Sequence, residues 1–236
     1  MVMNSASMPE RADLQATLMR TPWFSALPPE ARSELAAHCE PLVLAQGTML
    51  FRQGDAPDGF YVLLEGHIKM STLTGDGKES ILAILDPGTW FGEISLIDGE
   101  PRTHDATALE TAYLQRVEWN VFRRLMRQAS FAAAIAALLA RRVRMLYSVV
   151  EDAHLRAPAV RIARRLLWLA AGITSGREMA NPAIPVSQEA LAMMLGISRQ
   201  TLSAELQRMQ DAGWIRLHYR CIEVLSSDAL QQFARR

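Results

Sequence analysis

Short apolar runs punctuated by glycine fill the first half of the chain, and helical spacing without glycine replaces them from Trp119 to Ala171. The runs GTMLFRQG, GFYVLLEG, HIKMSTL and ESILAIL lie among Gly47, Gly54, Gly59, Gly66, Gly75, Gly77, Gly88, Gly92 and Gly99. Short strands with turn signals between them predict an antiparallel β-sandwich or barrel. LLEG-HIKM and the tip TGDGKE read as hairpin connections, where glycine supplies a positive φ. Upstream, ADLQATLMR and PPEARSELAAHC have helical spacing, the second entered through Pro28-Pro29. Cys39 falls at the end of that helix and is expected as a small buried apolar residue.

EWNVFRRLMRQ and FAAAIAALLARRVRMLYSVVEDAHLRA contain no Gly or Pro and predict helices. In the longer one Leu139, Val143, Leu146, Val150 and Ala153 are spaced 4, 3, 4 and 3. Such an a/d seam suits pairing with a second copy, or packing of the helix on its own barrel. Pro158 interrupts the pattern and marks the start of another helix, APAVRIARRLLWLAAG. The expected organisation is therefore a β-domain with flanking helices over 1–130, a long helix and hinge over 131–156, and a further domain over 157–236.

That last domain carries the sharpest local signal, VSQEALAMMLGISRQTLSAELQRMQDAGWI. Ser187 can cap a short helix with Leu191, Met194 and Leu195 on its apolar face. Gly196 permits a tight turn, Ser198 can cap a second helix, and Gly213 ends it. This is a helix-turn-helix, whose second helix can enter a major groove. WIRLHYRCIEVLS reads as a small β-wing. Arg199 and Gln200 sit in the first turn of the second helix, suited to guanine and adenine edges. Ser203 could reach a base or a phosphate, and Arg208 and Arg216 could reach phosphates.

Charge sharpens this division. Residues 1–156 hold 15 Lys+Arg against 19 Asp+Glu, whereas residues 157–236 hold 10 Arg against 6 Asp+Glu. The second segment is the better match for a polyanion. Cys39 and Cys221 are too far apart for a C-x-x-C site, which argues against a disulfide framework or a zinc ribbon. The segment MVMNSASMPERADLQ has no secretory pattern, and no apolar run is long enough to span a membrane. A cytoplasmic protein is expected. His38 and His67 are lone histidines, no metal-ligand set or catalytic motif is legible, and no enzyme is expected.

One stretch remains, FGEISLIDGEPRTHDATA, from Phe91 to Ala108. Gly92 removes a Cβ where backbone could approach a ligand, and EISLI could form a short helix with its N–H groups toward an anion. Glu93 could accept from a hydroxyl, Arg102 could pair with a phosphate, and Thr103 could donate to it. Alternatively Glu93 and Arg102 bond each other and brace the sheet. His104 and Asp105 are adjacent on a strand and point to opposite faces, which suits a structural role.

Taken together, LLEGHIKM, FGEISLIDGEPRT, RIARRLLWLA and SQEALAMMLGISRQTLSAEL resemble the Crp–Fnr family of bacterial transcription regulators, from about Phe24 to Leu225. The resemblance implies an α+β fold: an N-terminal antiparallel β-roll (a jelly-roll-like double-stranded β-helix), a long dimerisation helix and a C-terminal winged helix-turn-helix. It implies a homodimer on a palindromic double-stranded operator, with an effector in the roll controlling DNA affinity. Gly92, Glu93, Arg102 and Thr103 match the family's ribose- and phosphate-binding positions, and Ser198, Arg199, Gln200, Ser203 and Arg208 would face DNA. The loop Ser175 to Ala183 corresponds to a segment through which some relatives touch RNA polymerase.

The chain departs from that pattern at two places. His104 and Asp105 follow PRT where small or β-branched residues are usual. Leu146 and Tyr147 stand where cyclic-AMP-responsive members have a Thr-Ser pair. Adenine could stack on Tyr147 but could not make the same hydrogen bonds. Cyclic AMP, cyclic GMP and cyclic di-GMP are all open as effectors, as is an effector-independent regulator whose roll only supports dimerisation. On sequence alone, Arg102→Ala is expected to lose effector response and still fold.

Overall fold

The computed structural model describes residues 11–73, 75, 79–171 and 183–235. Most of the tip TGDGKE and all of the Ser175–Ala183 loop except Ala183 lie outside the described residues. Contacts divide the chain into two compact units, Met1–Ile68 with Leu85–Leu138 and Lys69–Ile84 with Leu139–Arg236.

The first unit begins with three short helices: α1 (Arg11–Met19), α2 (Pro22–Ser25) and α3 (Pro29–Ala37). Prolines occupy the first turns of α2 and α3, where no backbone N–H is needed. Cys39 does not end α3. It opens β1 (Cys39–Leu44) and pairs with Val117. Pro41 explains the correction, because it disfavours helix both at its own position and at the one before it. Cys39 is half-buried, and burial pushes its thiol up to about 12.

The chain continues through β2 (Met49–Phe51), β3 (Gly59–Glu65), β4 (Ile68–Leu73), β5 (Glu79–Leu85) and β6 (Trp90–Phe91). A one-and-a-half-turn helix, α4 (Glu93–Asp98), then precedes β7 (Asp105–Ala108), β8 (Ala112–Glu118) and α5 (Trp119–Leu125). One antiparallel sheet has the order β1-β8-β3-β6. In it Phe60 faces Val117, Leu63 faces Leu114 and Val62 faces Trp90. β2 pairs antiparallel with β7. Strand β3 is buried on both sides along Gly59–Leu63, which is why its sequence is a continuous apolar run rather than an alternation.

Gly66 has a φ of 82°, and an added Cβ would stand 2.7 Å from the Thr111 carbonyl oxygen. The turn after β3 therefore admits glycine alone. The core of this unit is an aromatic cluster. Trp90 lies flat against Phe24 at 5.8 Å and packs on Phe60 at 5.2 Å, while Phe122 packs on Phe131. Trp23 donates its indole N–H to the Ala134 carbonyl at 3.0 Å, tying α2 to the first turns of α6 (Ala129–Leu155).

The second unit contains most of β4 and β5 and the rest of α6, then α7 (Pro158–Ala170), β9 (Ala183–Ile184), α8 (Gln188–Leu195), α9 (Arg199–Asp211), β10 (Ile215–His218), β11 (Cys221–Val224) and α10 (Ser227–Ala234). Pro158 is the first residue of α7, as the spacing predicts. Arg164 clasps the α6–α7 break, donating to Asp152 at 2.7 Å and to Ser148 at 3.2 Å. Strands β10, β11 and β9 form a small antiparallel sheet, the predicted wing with one additional strand. No helix among the described residues is long and apolar enough to cross a membrane.

Candidate effector site and DNA-reading head

In the first unit the cassette hangs from the core by Trp90 and Phe91. Gly92 then turns with a φ of 92° and caps α4. An added Cβ at Gly92 would lie 3.0 Å from the Gly59 carbonyl oxygen and 3.1 Å from Arg102 Nη1. The residue is glycine so that the guanidinium can come close; sequence alone assigned that space to a ligand.

Arg102 itself is buried, its side chain only 2 % exposed. Nη1 donates to the Gly92 carbonyl at 2.8 Å, and Nη2 donates to the Gly59 carbonyl at 2.8 Å and to Asp58 Oδ1 at 2.9 Å. The guanidinium carbon sits 4.4 Å above the Phe51 ring. Nε is buried without a hydrogen-bond partner among the described residues. Glu93 is fully buried in the first turn of α4. Thr103 is exposed, with its hydroxyl 2.6 Å from His104 Nδ1. Asp105 is buried and accepts from the Gln53 backbone N–H at 2.7 Å, the structural role expected of it.

Asp58 is the participant that sequence reasoning missed. Its partner lies 44 residues away, and an Asp before a Gly at a strand entry carries the ordinary signature of a turn. Tyr61 donates its hydroxyl to Asp58 Oδ2 at 2.6 Å. Burial opposes ionisation of Asp58, but the bonds from Tyr61 and Arg102 outweigh it and hold the carboxyl below its usual range. Burial and the same carboxylate push the Tyr61 phenol up.

The reading head is built by local capping. Ser187 Oγ accepts from the Ala190 N–H at 3.1 Å, and Ser198 Oγ accepts from the Thr201 N–H at 3.0 Å. Gly196 takes the left-handed conformation, φ 60° and ψ 36°, between α8 and α9. Leu191, Met194 and Leu195 are buried on α8, and Leu202, Leu206 and Met209 on α9. Arg161 of α7 donates to the Leu195 carbonyl and so ties the end of α8 to the scaffold helix.

The opposite face of α9 exposes Arg199, Gln200, Ser203 and Arg208. The Ser198 hydroxyl is engaged in its cap and lies 2.8 Å from Thr201 Oγ1, so Ser198 shapes the helix start. Arg208 pairs with Glu205 at 2.8 Å, an exposed contact worth at most about 1 kcal/mol and readily exchanged for a phosphate. Arg216 on β10 pairs with Glu223 at 3.3 Å. On α6, in the same unit, Val143, Leu146, Tyr147 and Val150 are all exposed, Leu146 by 59 % and Tyr147 by 71 %.

Residues 41–129 match the cyclic nucleotide-binding domain, and residues 160–233 match the Crp-like helix-turn-helix domain. The chain is 30 % identical over 215 residues to the cyclic AMP receptor protein of Thermus thermophilus, covering 91 % of this chain and 97 % of that one. It belongs to the Crp–Fnr family. A second relative, the CRP-like cAMP-activated global transcriptional regulator of Mycobacterium tuberculosis, is 28 % identical over 221 residues, 92 % of this chain and 98 % of that one. FixK2 from Bradyrhizobium japonicum shares the fold, with a TM-score of 0.72 at 18 % identity over 82 % of this chain and 96 % of that one. Like its relatives, this Crp–Fnr protein is a DNA-binding transcription regulator and not an enzyme. The α+β architecture of antiparallel roll, long helix and helix-turn-helix is the family's own.

Proposed function

We propose that this Crp–Fnr protein is a cytoplasmic homodimer that binds a palindromic operator under control of a cyclic nucleotide held in the roll. The observation that carries the effector reading is Arg102: a buried guanidinium with an unpartnered Nε, at the end of a cassette shaped around it. An unpaired buried donor costs about 1–3 kcal/mol, and an anion with several acceptor oxygens could relieve it. Gly92, Glu93, Arg102 and Thr103 would hold the ligand. The Mycobacterium and Thermus relatives are named for cyclic AMP. The Leu146-Tyr147 pair is the reason to test cyclic GMP and cyclic di-GMP beside it.

A thermal-shift panel with the three nucleotides tests the reading. At least one is expected to raise the melting temperature and to tighten operator binding. No shift from any of them, together with tight operator binding, would favour the effector-independent regulator. That second reading has its own support, since Asp58 already engages Arg102.

The exposed stripe Val143, Leu146 and Val150 supports the homodimer, because an isolated helix with this a/d seam leaves its apolar face in water. Leu146→Glu is expected to shift the protein from dimer to monomer in sedimentation equilibrium; an unchanged dimer would remove the seam from the interface. A dimer on a palindrome spaces its recognition helices about 34 Å apart. Arg199→Ala should lower discrimination among operator variants by roughly 5- to 150-fold, equivalent to about 1–3 kcal/mol for a bidentate base contact. Uniform weakening on all sequences would instead make Arg199 a phosphate contact. Contact with RNA polymerase is part of the same proposal.

A further inference from the structure

We propose that Asp58 is an internal competitor for the effector's phosphate, occupying Arg102 while the roll is empty and yielding it when an anionic ligand arrives. This rests on the effector reading above and adds the element that sets its threshold. Three features of the first unit support it.

The two partners are unequally held. Arg102 is nearly inaccessible and fixed by two backbone carbonyls and the Phe51 ring. Asp58 is half-exposed and enters the pair through a single oxygen. When a ligand competes, the group that can leave is the carboxylate.

Asp58 also has somewhere to go. Arg116 Nη1 stands 3.9 Å from Asp58 Oδ2, just beyond hydrogen-bond range, while its Nη2 holds Glu40 at 2.7 Å. A displaced carboxylate can turn toward Arg116 without being stranded.

The displacement would be transmitted. The loop that carries Asp58 is stitched to the cassette backbone on both sides of Arg102. The Gly54 N–H donates to the Arg102 carbonyl at 2.8 Å, and the Arg102 N–H donates to the Asp55 carbonyl at 2.8 Å. Tyr61, whose hydroxyl holds Asp58, packs on Phe91 at 5.5 Å, the residue immediately before Gly92. Exchange of Asp58 for a phosphate therefore alters the hydrogen bonding of β3 and the entry to the cassette together. The physical logic is substitution of one charge-assisted acceptor for another at the same guanidinium. The ligand has the advantage of further oxygens, and the carboxylate has that of being tethered.

Calorimetry on the full-length protein tests this with cyclic AMP, cyclic GMP and cyclic di-GMP as titrants. Asp58→Asn and Asp58→Ser are expected to bind at least tenfold more tightly than the wild type whichever nucleotide it accepts, or to bind where the wild type does not. Unchanged or weaker affinity in variants that melt cooperatively would overturn the competitor role and leave Asp58 as a support for Arg102. Absence of binding by wild type and variants alike, with operator binding intact, would overturn the effector reading and the inference with it.

Discussion

Arg102→Ala is expected to lose nucleotide binding and also to destabilise the protein by roughly 3 kcal/mol, the lower end of the range for breaking a buried pair. Sequence alone predicts a variant that folds normally, because Arg102 reads as a ligand-facing loop residue. Its burial changes that expectation. Truncation leaves the carbonyls of Gly59 and Gly92 without their donor and opens a void over the Phe51 ring. Each unsatisfied buried acceptor costs about 1–3 kcal/mol. Asp58 contributes less to the loss, because water can replace the guanidinium at a half-exposed carboxylate. Urea denaturation measures the effect, and a midpoint equal to that of the wild type would show that the buried fork is dispensable for folding. Arg102→Lys separates the roles. It keeps the charge without the planar fork, so it should lose most of the binding while still failing to satisfy both carbonyls.

Trp90→Ala should have the largest effect on stability, about 3–5 kcal/mol, as for other buried aromatic truncations. The ring touches Trp23, Phe24 and Phe60 together, and its indole N–H donates to Thr21 Oγ at 3.2 Å. One side chain thus joins the N-terminal helices to the central strand of the roll. Because β6 ends one residue before Gly92, loss of Trp90 should loosen the cassette as well as the core. Thermal unfolding should report the stability loss, and faster amide exchange at Gly92 and Glu93 should report the loosening. A destabilised variant with unchanged exchange there would mean that the cassette is held by Phe91 and the Arg102 fork alone. Trp90→Phe should recover much of the stability, since it keeps the stacking on Phe24 and loses the indole bond.

How much of this was legible in the chain depended on sequence separation. The helix-turn-helix was readable because its determinants are local. Ser187 and Ser198 cap backbone groups three residues away, Gly196 meets a single-residue demand for a left-handed turn, and Met194 and Leu195 lie three and four residues from Leu191, a helix's own period. The strand runs were readable for the same reason, as was Pro158 at the start of α7. The helical spacing of PPEARSELAAHC runs on to Cys39, whereas α3 ends at Ala37, ahead of Pro41.

The roll's chemistry was legible only in part. Residue types in FGEISLIDGEPRTHDATA pointed to Gly92, Glu93, Arg102 and Thr103, but left open whether the arginine faced a ligand or the protein. The sequence by itself determined the glycine-bounded strand runs, the caps, the a/d seam and the presence of an arginine where an anion could be held. Tertiary structure alone decided that this arginine holds Asp58 and two backbone carbonyls. Antiparallel pairing of β3 with β6 and β8 brings Gly59 beside Gly92 and carries Asp58 across 44 residues to Arg102. Ion pairs and close backbone approach depend on distance in space, and no local pattern of residues records which strand entry will arrive beside which loop.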